Sequence, residues 1–169
     1  MDGKLIGLVR HTVVDRYGIE LWDSLARPCD SEEMPSDALA AWVGRETVPA
    51  LRETYPSLFD RHADLASFVQ GLGDDLPAVR STVATSAASV SLRYGVAPDG
   101  SILLRIEAEC SLCALIQGLI AGAAIHYDEP VLIGELKSPR RGDNVCVLNI
   151  EIGTEAEETG APDLEVAVV

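Results

Sequence analysis

Residues 89–109, SVSLRYGVAPDGSILLRIEAE, are where this chain changes its period. Two β-rich runs flank Pro98-Asp99-Gly100, and a turn tripeptide between alternating apolar positions predicts a β-hairpin. The next segment, CSLCALIQGLIAGAAIHY from residue 110, is apolar on every side and predicts a helix over 111–127. Gly118 and Gly122 stand four residues apart on that helix, which predicts a neighbour pressed close against it. Beyond it, EPVLIGELKS (129–138) and NVCVLNIEIG (144–153) read as two more strands around PRRGD. The order ββαββ follows.

Upstream of residue 89 the apolar spacing is helical. Over residues 3–27, Leu5, Leu8, Val9, Val13, Leu21, Trp22 and Leu25 recur at helical intervals, with a break predicted at Gly18. PCDSEEMPSD (28–37) is a polar, proline-bearing loop in which Ser36 is a good N-cap for the next helix. The helix that follows, DALAAWVGRETVPALRET, places Leu39, Trp42, Val43, Val48 and Leu51 in one broad stripe, with a kink expected at Pro49. RHADLASFVQGLG supplies a shorter helix facing inward through Leu65, Phe68, Val69 and Leu72, and DDLPAVRSTVATSAA is expected to open with a helical turn.

Helices first and strands afterwards make an α+β domain. A helical half over 1–85 precedes a sheet half over 86–152, with a mostly antiparallel sheet of about four strands. Residues 1–152 form a single domain. The tail, 153–169, opens acidic and closes apolar enough to dock as an edge strand.

The chain has 169 residues, a formal net charge of −14 and four cysteines. So acidic a surface repels phosphate backbones, and nucleic-acid binding is not expected. No apolar run reaches the roughly 20 residues of a membrane helix, and the first residues lack a signal-peptide pattern, so a cytoplasmic location is expected. In a reducing compartment, cysteines point to metal or thiol chemistry more than to structural disulfides.

Cys110 and Cys113 fall on the first turn of the 111–127 helix, where free N–H groups and the macrodipole favour thiolates. Residues three apart lie on one face, so both sulfurs can reach a single ion. Taking PRRG as a four-residue turn pairs Ser138 with Asp143 and Glu135 with Cys146, which brings the hairpin toward the same place. Cys29, in the polar loop, is the remaining thiol. Cys29, Cys110, Cys113 and Cys146 make a four-cysteine set suited to zinc or an iron–sulfur cluster, with Glu135 as the alternative fourth ligand. A CxxC thiol–disulfide switch and plain packing of apolar cysteines remain open beside it. His126 reads as a helix-end or core histidine and His11 as a surface one. No Ser–His–Asp arrangement and no phosphate loop is present, and no catalytic residue is assigned.

Several stretches resemble the H-NOX (heme nitric oxide/oxygen-binding) family. They are GKLIGLVRHTVVDRYGIELWDSL, then WVGRETVPALRETYPSLFD with LASFVQGL, then the ββαββ half with GLIAG in its helix. The likeness covers residues 1–152. The family's heme-binding histidine falls on Leu76, and its Tyr-x-Ser-x-Arg propionate clamp falls on Ile106, Ala108 and Cys110, so the resemblance implies a heme-free member. The second half is also similar to 4-vinyl-reductase-type sensor domains, whose zinc-ligand pattern falls on Cys113 (or Cys110), Glu135, Ser138 and Cys146. These likenesses imply a sensory or regulatory domain with a cysteine-bound metal in place of heme. The implied partner is a histidine kinase or a cyclic-dinucleotide enzyme, and a homodimer is possible through apolar positions on the first helix. The rival implied by the same likeness is a small enzyme or accessory protein of tetrapyrrole metabolism.

Overall fold

A computed structural model describes the backbone of residues 5–26, 35–75, 91–107, 110–153 and 167–168, and side chains at 7–26, 35–72, 92–107 and 111–153. Five helices come first: α1 (Leu5–Tyr17), α2 (Ile19–Leu25), α3 (Asp37–Thr54), α4 (Ser57–Asp60) and α5 (Leu65–Asp75). They are followed by β1 (Ser91–Val96), β2 (Ile102–Glu107), α6 (Cys110–Tyr127), β3 (Val131–Lys137), β4 (Cys146–Ile152) and the two-residue β5 (Ala167–Val168). The α+β order expected from the change of period is what the chain adopts. No described helix is long and apolar enough to cross a membrane.

Gly18 separates α1 from α2 because it takes φ 94°, a left-handed value that a residue with Cβ resists. Ser36 caps α3, its hydroxyl accepting from the Leu39 N–H at 3.2 Å. Val43, Val48 and Leu51 are buried along α3, and the helix continues through Pro49 to Thr54. Leu39 and Trp42 depart from the expected stripe: they are 42% and 44% exposed. α3 turns its glycine, not its tryptophan, toward the core, and Trp42 instead meets Tyr17 edge-on at 6.0 Å.

Among the described residues the sheet runs β1-β2-β4-β3-β5, and every pairing is antiparallel. β4 is central. Its Cys146, Leu148 and Ile150 are buried beside Leu104 and Ile106 of β2, as the period of two requires. β3 and β4 are joined by a 3-10 turn at Pro139–Arg141 closed by Gly142. This turn, with a register shift between Glu135 and Lys137, places Glu135 opposite Leu148. The expected pairing of Glu135 with Cys146 is therefore corrected by two positions, because a bulge lengthens the connection. Glu135 keeps the same sheet face.

α6 lies between the two halves. Leu112, Leu115, Ile116, Ile120 and Ala123 are essentially inaccessible, which suits a helix apolar all round. Its partner is α3, and the two touch backbone to backbone. A Cβ on Gly44 would strike the Leu115 carbonyl, one on Gly118 would strike the Ala41 carbonyl, and one on Gly122 would come within 2.6 Å of Val48. The pairings advance together along both helices, so α3 and α6 run in the same direction. The glycine pair on α6 marks a close neighbour, as its spacing predicted. Pro49 donates no N–H to Arg45 O four residues back. That carbonyl faces Gly122 instead.

Candidate functional site

The amino-terminal ends of α3 and α6 meet the β3–β4 hairpin at one corner. Cys113, on the first turn of α6, and Cys146, the first residue of β4, are both buried and free of disulfide. Their thiols are hydrogen-bonded to each other, and that contact, followed by burial, raises the Cys146 pKa. The negative charges of Glu135 and Asp37 push it further in the same direction. The Cys146 thiol is therefore protonated at neutral pH, and a cation that displaced its proton would relieve the same electrostatics.

Two arginines of the hairpin hold the corner. Arg140 Nε lies 2.6 Å from Asp37 Oδ1, and its terminal nitrogen donates to the Pro35 carbonyl at 2.8 Å. Arg141 donates to the Glu135 carbonyl at 3.0 Å and lies 3.6 Å from the carboxylate of the same residue. Ser138 is buried, its N–H donating to Asp143 Oδ2 at 2.9 Å while its carbonyl accepts from Asp143 N–H at 3.1 Å. Ser138 and Asp143 are thus paired as the sequence suggested. At the same end of α6, Ser111 is fully buried, and its Oγ has no hydrogen-bond partner among the described residues.

Of the four cysteines named from the sequence, the structure brings Cys113 and Cys146 into contact. Cys110 is the first residue of α6, one turn before Cys113, and its side chain lies outside the described residues, as does all of Cys29. Among the described residues no group of three or more His, Cys, Asp and Glu side chains is placed to hold a metal. Sequence reasoning missed Asp37 and the two arginines. The only signal for them was a basic pair in a tight turn of an acidic chain.

The heme-holding positions can be tested at Ile106, since Leu76, Ala108 and the Cys110 side chain lie outside the described residues. Ile106 is fully buried on β2, paired with Leu92 on one side and Cys146 on the other. A hydrocarbon there offers no donor to a propionate. The three histidines sit elsewhere. His11 is exposed on α1, and His62 packs under Gly71, accepting from Arg61 Nε at 3.1 Å. His126, in the last turn of α6, meets the Phe59 ring at 5.2 Å, in keeping with a helix-end role. Of the positions that the resemblance assigns to the clamp, Ile106 is the one whose side chain is described, and it supplies no hydrogen-bond donor.

Comparison with known proteins follows the fold. A crystal structure of an H-NOX protein from S. oneidensis in the Fe(II)NO ligation state is 21% identical, with TM-score 0.63, covering 91% of this chain and 100% of that one. The NMR structure of an H-NOX domain from Shewanella oneidensis in the Fe(II)CO state is 19% identical, with TM-score 0.61, covering 92% and 100%. An oxygen-binding H-NOX domain related to soluble guanylate cyclases is 17% identical, with TM-score 0.57, covering 94% and 100%. At these identities the likeness is one of fold. No curated protein matches the chain. The family model described as Haem-NO-binding matches residues 28–135, which is more than half of the sequence. The chain belongs to the Haem-NO-binding family.

Proposed function

We propose that this chain is a sensory domain of the H-NOX fold in which a cysteine-held metal centre, zinc or an iron–sulfur cluster, takes the place of heme. The single observation that carries the proposal is the contact of the Cys113 and Cys146 thiols at the corner where α3, α6 and the hairpin meet. Cys110 and Cys29 complete the set. Cys110 is one helical turn from Cys113, and Cys29 is six residues before Pro35, which Arg140 ties to the hairpin. Six residues reach at most about 20 Å, enough for the loop to return to the corner. Glu135, on the same sheet face as Cys146, is the alternative fourth donor.

A dication held there displaces the proton that the metal-free fold keeps on Cys146, and it fixes helix to hairpin. Loss or oxidation of the centre frees the two halves to shift, and a separate partner reads the change. A histidine kinase or a cyclic-dinucleotide enzyme, in a reducing cytoplasm, fits the family and the absence of any assigned catalytic residue.

Metal analysis and a visible spectrum of the anaerobically purified chain test this directly. The expected result is one metal centre per chain, colourless for zinc or brown for a cluster, lost in both Cys113→Ser and Cys146→Ser. Wild-type metal content in those variants, or a Soret band, overturns the proposal.

A further inference from the structure

The opposite ends of α3 and α6 carry a second feature that the thiol corner does not use. A half-open groove of about 210 Å³ lies between their carboxy-terminal halves. Its floor is hydrocarbon: Val48, Pro49 and the bare Gly122, where α6 presses on α3. Ile125 stands at its edge, 60% exposed, an aliphatic side chain left in water on the last turn of an otherwise buried helix. Its rim is polar, formed by Arg45, Glu46, Arg52 and the imidazole of His126.

The charge balance limits what fits. Glu46 also lines the groove, 3.4 Å from Arg45 Nε in an exposed ion pair, so those two largely cancel. Arg52 makes no hydrogen bond or ion pair among the described residues; burial first, and then the Arg52 charge, disfavour the His126 imidazolium, and the Asp60 carboxylate offsets them in part. Among the described residues that line the groove, Arg52 is the cation left over, in a chain whose formal charge is −14. A single negative charge satisfies it, whereas a polyanion meets Glu46 and the acidic surface around it. At roughly 30 Å³ per water, the space holds about seven waters, or a molecule of about eight heavy atoms. That is below the roughly 300–1,000 Å³ of a drug-sized site.

We propose that this groove binds a small monocarboxylate with a short apolar tail, the carboxylate on Arg52 and the tail covering Ile125, Val48 and Pro49. The tail removes the exposed isoleucine from water, and the guanidinium gives the paired geometry that carboxylates favour. Affinity on the order of millimolar is expected for so few atoms.

Titration of the ¹⁵N-labelled full chain with sodium hexanoate, followed by amide NMR shifts, tests it. Saturable shifts are expected at residues 45–52 and 122–126, with hexanol and inorganic phosphate each weaker by about tenfold. Arg52→Gln, at an exposed position that leaves the remaining spectrum unchanged, is expected to weaken hexanoate by about tenfold and Ile125→Ser by a few-fold. Hexanoate shifts that are absent or scattered overturn the proposal. So does binding to Arg52→Gln as tight as to the wild type, or phosphate binding as tightly as hexanoate. The same titration on Cys146→Ser is expected to match the wild type, which separates this site from the thiol corner.

Discussion

The amino-terminal end and the middle of the α3–α6 pair are built in opposite ways. Along the middle, contact is made by removal: Gly44, Gly118 and Gly122 have no side chains, and backbone lies on backbone. At the amino-terminal corner contact is made by addition, with two thiols, two carboxylates and two arginines meeting across three elements. At Gly44 and Gly118 such a seam tolerates no added atom, because the opposing group is a carbonyl that cannot rotate away. A corner made of side chains can exchange protons, metal or partners while the backbone stays. This is the physical reason to place the responsive chemistry at the corner and the fixed geometry in the seam.

The sharpest way to break the comparison is Gly118→Ala. The new Cβ would land on the Ala41 carbonyl oxygen and within 2.8 Å of its Cα, so the helices must separate. Overpacking of this kind costs typically 1–3 kcal/mol, and a rigid backbone opponent puts it at about 3 kcal/mol or above. Alanine's better helix propensity recovers only about 1 kcal/mol. Urea denaturation is expected to show the midpoint falling steeply at an unchanged slope. A loss below about 0.5 kcal/mol means that α3 and α6 do not pack as described.

That seam was half legible in the sequence. Gly118 and Gly122, four apart in an apolar run, announced a close neighbour, and the switch from helical spacing to alternation announced the sheet. What the spacing could not say was which helix pressed there, and so Leu39 and Trp42 were read as core when Gly44 holds that place. Hydrophobic pattern counts large side chains, and a helix that docks through its glycine leaves its tryptophan outside. The corner was legible in a different part. Cys113 and Cys146 were marked by residue type, and the structure joins them. Asp37 and Arg140 were not, since a long-range ion pair leaves no local period. The bulge at Glu135 had no signal in the strand pattern either.

The corner itself can be sharpened by pH. Folding raises the Cys146 pKa, through the Cys113 hydrogen bond first and burial second. The folded chain thus keeps a proton that the unfolded chain releases above about pH 8.5. Stability from this thiol is complete below that pH and declines as pH rises, by at most about 1.4 kcal/mol per pH unit. Burial first, and then the negative charges of Asp60 and Asp64, push Tyr127 up to about 12, and it adds a loss of the same sign only above about pH 10. Chelator-treated protein is expected to lose stability between about pH 8.5 and 10, and Cys146→Ala to lose that slope. Metal-loaded protein, its thiolates already deprotonated, is expected to lack the slope as well. An identical alkaline profile in all three samples sinks the assignment of the buried proton to Cys146.

The smallest effect reverses the sign of the largest with the same substitution. Gly7 lies within α1, and a Cβ built there meets nothing within 4 Å. Neither a carbonyl nor a positive φ opposes the methyl group, so the change acts on the unfolded chain's freedom and on helix propensity alone. Gly7→Ala is expected to stabilise the fold by about 0.5–1 kcal/mol in the same urea titration that shows Gly118→Ala losing several times as much. If both variants move together, helix propensity governs α6 as it governs α1. The contrast between a glycine that is merely tolerated and one that the packing requires then fails. Opposite signs from one chemical change in two helices mean that it is the neighbour, not the helix, that demands glycine at position 118.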